Sequence, residues 1–280
     1  MASSAPPRHV AERYYQRFDR RQRVTHVFLM MSFIGLALTG LPLRFADQGW
    51  ARTLAGLWGG IESAGFIHRV CAVVMIGAFV SHVGQVLWQV YRKRDYGALW
   101  GPTSMVPQPR DVIEMYGHMR WFVGLGPRPK FDRFTYWEKF DYWAVFWGML
   151  IIGGSGMMLW FPETFALVIP GWVFNIALLV HGEEALLAVG FIFTIHFFNG
   201  HIRPEKFPMD LVMFTGRVPE HELLHERPAE YERLAREGRL GLYETTPPNP
   251  RSAAFGRALG TVAVTLGLLT VALIVFALLM

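Results

Sequence analysis

Apolar residues in this chain are gathered into five long stretches that carry few or no charged side chains. Each runs for about twenty residues, the length that a helix rising about 1.5 Å per residue needs to cross about 30 Å of hydrocarbon. The pattern predicts an all-α fold, an integral membrane helical bundle. The predicted spans are Val24 to Leu43, His68 to Tyr91, Tyr142 to Phe161, Val173 to His201 and Gly256 to Met280.

Polar and proline-rich segments separate these stretches. Within them we expect a short interfacial helix from Arg110 to Phe122 and a helix from Pro228 to Glu237. The fifth stretch has neither histidine nor an internal charge after Arg257, so it is either a packing surface for a partner helix or a simple anchor. The predicted divisions are an N-terminal segment 1–23, a four-helix domain 24–203 with a loop 92–141, a charged segment 204–255, and a C-terminal span 256–280.

Basic residues are distributed asymmetrically about the predicted spans. Of the 27 Lys and Arg, 24 lie before the first span, between the second and third, or after the fourth. Because basic residues are retained on the cytoplasmic side, we expect a cytoplasmic N-terminus and an outer C-terminus. Six arginines, from Arg8 to Arg23, leave no apolar core for a cleaved signal peptide, so the first span itself should insert.

Composition and cysteine content narrow the chemistry. The apolar fraction is 52%, the charged fraction is 18%, and the net charge of +5 reflects topology more than binding to nucleic acid. Cys71 is the single cysteine, and no Cys-x-x-Cys-His motif is present for covalent haem attachment. Any iron–sulfur cluster or c-type haem must therefore belong to a partner subunit.

Histidine is the residue type that points to a function. A titratable side chain in hydrocarbon is costly, so it is usually buried in the bundle and has a functional role. Six of the ten histidines lie in the predicted spans or at their ends, namely His26, His68, His82, His181, His196 and His201.

The histidine spacing predicts two cofactor sites at different depths. His68 and His82 are 14 residues apart, about 21 Å along the helix axis, and His181 and His196 are 15 apart, about 22 Å. Spans two and four run in the same direction, so their histidines face each other at matching depths. Two haems b, each held by two histidines, fit this arrangement.

The outer haem would be held by His68 and His181, with Arg69 available to neutralise a propionate. The inner haem would be held by His196, for which span spacing favours His82 as partner and depth also allows His26. Glycines near these positions leave room for a flat macrocycle, although glycine also serves ordinary helix packing in membranes.

Several short motifs resemble one family of membrane proteins. These are Arg23-x-x-His26 at the head of the first span, the Thr-Gly-Leu-Pro-Leu run from Thr39, and Ile-His-Arg at the start of the second span. Together with the two spaced histidines of the fourth span, they are similar to the cytochrome b (gamma) subunit of membrane-bound formate dehydrogenases. The runs 133–143 and 201–210 look like a bacterial branch of that group.

The resemblance implies that His68 and His181 hold the outer haem and that His26 and His196 hold the inner one. This chain departs from the family in having His82, His201 and a fifth span. Three assignments therefore stay open: His26 with His196, His82 with His196, or a third haem that uses His82 and His201. The third depends on His201 lying about 140° round an α-helix from His196, facing another neighbour.

Quinone chemistry couples electrons to protons, so a quinone site needs groups that exchange protons with water. The resemblance places the quinone, or menaquinone, near the inner haem and the start of the third span. The candidate residues there are Tyr136, Glu138, Lys139 and Asp141.

Near the outer end, Glu184 lies one helical turn after His181 and is a candidate to orient the His181 ring, while Glu183 suits the interface.

Two functions are compatible with these features. The first is a di-haem or tri-haem cytochrome b subunit of a bacterial inner membrane complex. It would carry electrons between quinone and a partner subunit bearing iron–sulfur clusters or c-type haems, and the partner would perform the substrate chemistry. The second is a non-redox membrane scaffold or transporter whose histidines bind metal ions or protons. The sequence shows no internal repeat of the kind common in transporters.

Overall fold

The computed structural model describes residues 12–279 as five long helices that meet a smaller polar domain at one end. All five helices are long and apolar enough to cross a membrane, which confirms the predicted helical bundle and defines a multi-pass membrane protein. The spans, numbered one to five, are Arg20–Arg44, Ile61–Lys93, Tyr136–Trp160, Trp172–Ile202 and Pro250–Leu279.

Each span begins before its predicted apolar stretch, because the backbone hydrogen bonds extend through polar residues that hydropathy excludes. Span one begins where the Asp19 carboxylate accepts a hydrogen bond from the Gln22 amide. Span three begins at a capping box in which Thr135 and Glu138 exchange side-chain and backbone hydrogen bonds. Residues 1–11, including Arg8, and Met280 lie outside the described residues.

Spans three and four contain π-helical turns. These are Met149–Gly153 in span three and Ile192–His196 and Phe198–Ile202 in span four. A π-helical turn closes its hydrogen bonds from residue i to i+5, so it rotates every later side chain relative to an ideal α-helix. Two of the predicted ligand histidines, His196 and His201, lie in these turns.

The spans pack as two pairs. Span one lies along span two, and span three lies along span four, whereas the two pairs touch each other at few places. Span five packs within the chain against spans one and four. At Gly267 an added Cβ would lie 2.6 Å from the Phe197 ring and 2.7 Å from the Phe193 ring, so the missing side chain permits this close contact.

The end of the bundle where spans one, three and five begin carries the polar domain, residues 12–19, 94–135 and 203–249. It holds three strands, β1 Tyr14–Gln16, β2 Arg217–Pro219 and β3 Glu244–Thr245. They form an antiparallel sheet in the order β2, β1, β3, with the central strand from the N-terminal segment. Tyr15 of that strand packs in a small core with Val212, Val218 and Leu223.

Short helices complete the polar domain and the connections. The two helices predicted there are observed at Pro109–Phe122 and Pro228–Arg236. The sheet was not predicted, because its strands are only two or three residues long and come from distant segments. The remaining helices are Gly49–Leu57, Tyr96–Ala98, Pro162–Phe165, Val212–Thr215, Glu220–Glu226 and Leu240–Tyr243.

Buried ion pairs join the three segments of the polar domain. Glu230 accepts from Arg17 at 2.5 Å and from Arg133 at 3.0 Å, and its side chain is only 3% exposed. Burial opposes the ionisation of Glu230, but the two guanidinium groups outweigh it and hold the pKa of this carboxyl below its ordinary value. The segments that the sequence separates are thus one folded unit, linked through charge.

Candidate functional site

His68 of span two and His181 of span four meet near the end of the bundle opposite the polar domain. Their ring centroids are 6.2 Å apart and the rings are inclined by 73°. Two imidazole nitrogens that bind one metal atom, each at about 2 Å, place the ring centroids at about this separation. The pair predicted from depth therefore has the ring separation of two imidazoles on opposite sides of one metal atom.

Hydrogen bonds orient both rings of this pair. The Nδ1 of His181 donates to the carbonyl of Ile152 at 3.0 Å, within the π-helical turn of span three. The Nδ1 of His68 lies 3.0 Å from the Thr39 hydroxyl, which donates its own hydrogen to the Gly35 carbonyl and therefore accepts from the ring. Both rings carry their hydrogen on Nδ1, so each leaves a lone pair on Nε2, the arrangement typical of ligand histidines.

Glycines provide the space that these rings occupy. A Cβ at Gly156 would lie 2.9 Å from Cε1 of His181, and a Cβ at Gly40 would lie 3.2 Å from Cε1 of His68. Gly40 belongs to the run that begins at Thr39, so this motif supplies both a hydrogen-bond partner and space for one histidine. The sequence alone does not indicate this role for the motif.

A second group of histidines lies at the polar-domain end: His26 is near the start of span one, and His196 and His201 are near the end of span four. The π-helical turns of span four advance by a smaller angle per residue than a regular α-helix. The predicted angle between His196 and His201, which assumed a regular α-helix, therefore does not apply to these turns. His26 and His201 each bury an Nδ1 atom that has no hydrogen-bond partner within residues 12–279.

Asp141 of span three contacts the third member of this group. Its Oδ2 accepts a hydrogen bond from Nδ1 of His196 at 2.9 Å, and the two side chains are 16% and 32% exposed. Because a carboxylate only accepts, the His196 hydrogen lies on Nδ1 and the lone pair on Nε2. His196 thus resembles His68 and His181 in presenting Nε2, but its partner carries a negative charge.

His82 does not join either group in the described part of the chain. Its Nε2 lies 2.9 Å from the Tyr142 hydroxyl, and the two rings meet edge to face. The described contacts do not select a partner for His196 among the open assignments. The combinations of His82 with His196 and of His82 with His201 receive no support from these contacts.

The four candidate quinone residues separate into two kinds. Glu138 accepts from Arg227 at 2.8 Å and caps span three, and Lys139 donates to Asp111 at 2.8 Å, so both are used in the fold. Tyr136 lies 3.1 Å from Nδ1 of His118, a contact that the sequence did not predict. Asp141, as described, binds His196.

Glu183, Glu184 and Arg69 are the candidate residues at the opposite end of the bundle. Glu183 pairs with Arg44 at 2.8 Å in an exposed ion pair, as suits an interfacial residue. Glu184 accepts from the Trp147 indole at 3.4 Å, and His181 is oriented by Ile152 instead. Arg69 is exposed and makes no side-chain hydrogen bond or ion pair within residues 12–279.

The fold and these contacts define a class: a multi-pass membrane helical bundle with one close pair of histidines between spans two and four. No protein-family model matches the chain, and no curated protein matches it. Within residues 12–279 no three His, Cys, Asp or Glu side chains converge to hold a metal ion by themselves. A haem takes at most two axial ligands from the protein, because the porphyrin supplies four nitrogens, and His68 and His181 are two such residues.

Proposed function

We propose that this chain is the cytochrome b subunit of a quinone-linked oxidoreductase in a bacterial inner membrane, with two haems b. His68 and His181 would hold one haem, and His26 and His196 the other. Bound haem would supply one-electron oxidation and reduction at each depth. The proposal agrees with the sequence resemblance to the gamma subunits of formate dehydrogenases.

The observation that carries the proposal is the pair His68 and His181. Their ring separation of 6.2 Å suits two ligands on one iron, and both Nδ1 atoms are held by hydrogen bonds. A core histidine with only a structural role would be expected to use both ring nitrogens in hydrogen bonds. Gly40 and Gly156 allow the two rings to lie directly against spans one and three.

The second haem rests on His26, His196 and Asp141. The Asp141 carboxylate fixes the tautomer of His196, and His26 lies at the same end of the bundle with its Nδ1 atom buried. A third haem has less support, because His82 contacts Tyr142.

We place the quinone at the polar-domain end, where Tyr136 and Asp141 lie. This end receives most of the Lys and Arg, so it is proposed to be cytoplasmic, with the C-terminus outside. A partner subunit carrying iron–sulfur clusters or c-type haems would then dock at the other end, beside His68 and His181.

Haem quantification tests the function. The chain purified from membranes should contain two haems b by its pyridine haemochrome spectrum. His181→Ala should lower the content toward one, because a haem with one axial histidine is held less tightly than a haem with two. His82→Phe is the matched control, since His82 lies outside both groups, and it should keep two.

The result has clear alternatives. A folded, monodisperse protein without haem, but with a bound transition metal or with histidine-dependent transport in vesicles, would support the scaffold or transporter function instead. Three haems in the parent protein and two in His82→Phe would support the tri-haem assignment. Size-exclusion profiles of each variant separate a lost ligand from a lost fold.

A further inference from the structure

The helix Pro109–Phe122 has its polar and apolar faces reversed relative to a helix on a water-facing surface. Asp111, Glu114 and His118 point into the protein and are each about 7–8% exposed. The opposite face, here called the outer face, is strongly exposed, whereas a soluble domain buries such residues. It consists of Val112 at 62%, Ile113 at 71%, Tyr116 at 63%, Met119 at 59% and Val123 at 68%.

The buried polar face is tied to the first turns of span three. Asp111 accepts two hydrogen bonds from the Lys139 ammonium, at 2.8 and 2.9 Å, besides one from the Gln108 amide, and the side chains of Asp111 and Lys139 are about 10% exposed or less. His118 meets Tyr136 at 3.1 Å. Met105, just before the helix, accepts from the Trp143 indole at 3.0 Å.

These contacts set the depth of the helix. Tyr136, Lys139 and Trp143 follow one another at helical spacing over about 10 Å of span three. This stretch leads into the apolar part of the span, so it crosses the headgroup layer of the membrane. The helix held against it must lie at the same level, with its outer face turned away from the protein.

We propose that the outer face is embedded in the membrane interface, with lipid as its occupant. The exposed apolar surface continues on span three itself, where Phe140 is 61% exposed and Trp147 is 58% exposed. Arg120 is exposed beside the Tyr116 ring of the outer face, and its charge suits the phosphate groups of the lipid headgroups. The Lys139–Asp111 pair then acts as a clamp that keeps the helix in the plane of the membrane.

Nitroxide scanning tests this proposal on the full chain in lipid nanodiscs. The Cys71→Ala background removes the single native thiol, and a label is then placed at Ile113→Cys. Leu269→Cys on span five serves as the lipid-facing control. Leu242→Cys, 77% exposed in the polar domain, serves as the water-facing control.

The expected result is that the Ile113 label collides more often with oxygen than with a water-soluble nickel chelate, as the Leu269 label does. The Leu242 label should show the reverse preference. Nickel accessibility at Ile113 equal to that at Leu242 would overturn the proposal. So would protection of Ile113 from both reagents, since that outcome means that protein, as a second copy or a partner, covers the outer face.

Discussion

The hydrogen bond between His196 and Asp141 leads to a prediction that distinguishes the two proposed haems. The two histidines at the far end bind neutral groups, a hydroxyl and a backbone carbonyl, whereas His196 binds a carboxylate. A negative charge at the ligand stabilises the oxidised iron more than the reduced iron. Asp141→Asn keeps the shape and removes the charge, so it should raise the midpoint potential of one haem.

The size of the shift follows from the energy of the contact. A hydrogen bond to a charged group contributes about 1.5–3 kcal/mol, and in a one-electron couple each 1.4 kcal/mol corresponds to about 59 mV. Loss of the whole contact therefore corresponds to a potential shift of about 65–130 mV. Because His196 is 32% exposed, solvent screens part of the charge and we expect the lower half of that range.

A redox titration followed by the visible absorbance of reduced haem b measures this shift. The parent protein should show two components. Asp141→Asn should raise the midpoint potential of one of them. Asp141→Glu keeps the charge, so it should leave that potential below the value in Asp141→Asn. Glu183→Gln removes an equal charge that is paired with Arg44 and touches no histidine, so it should move neither component by a comparable amount. Unchanged potentials in Asp141→Asn, or equal shifts of both components, would refute the reasoning while leaving haem binding intact.

Two further predictions concern packing and charge. Gly156→Ala should reduce the haem content toward one per chain, because the added Cβ would lie 2.9 Å from His181. Gly154→Ala, whose Cβ would have no neighbour within 4 Å, should retain two haems in the pyridine haemochrome assay. Equal haem content in both variants would contradict this prediction. Glu230→Gln should destabilise the polar domain by about 3–5 kcal/mol in thermal unfolding, against about 0–1 kcal/mol for the exposed Glu232→Gln. Since the folded pKa of Glu230 is depressed, its contribution is complete above the ordinary value of 4.5 and is lost as pH falls through the lower folded pKa.

Charge networks account for what sequence reasoning missed outside the membrane. Arg17, Arg133 and Glu230 come from three segments that are far apart in the chain, and no local pattern signals that they meet. Glu138 illustrates the same difficulty, since a carboxylate at the start of a span is equally suited to proton exchange and to capping. The contact with Arg227 assigns it a place in the fold.

The sequence by itself determined the five membrane helices and the two depths of the histidines. Both are local properties: the length of an apolar run is read directly, and depth follows from position along a helix. The pair His68 and His181 was predictable for that reason, and so was the helix Pro109–Phe122.

Only the tertiary structure decided the contacts of the histidines other than His68 and His181. Azimuth depends on every turn that precedes a residue, and the π-helical turns of span four change it in a way that a regular 3.6-residue period does not predict. Partner choice depends in addition on which spans pack together, and this packing places Tyr142 against His82 and Asp141 against His196. Such contacts join residues that are more than fifty positions apart, so no local pattern determines them.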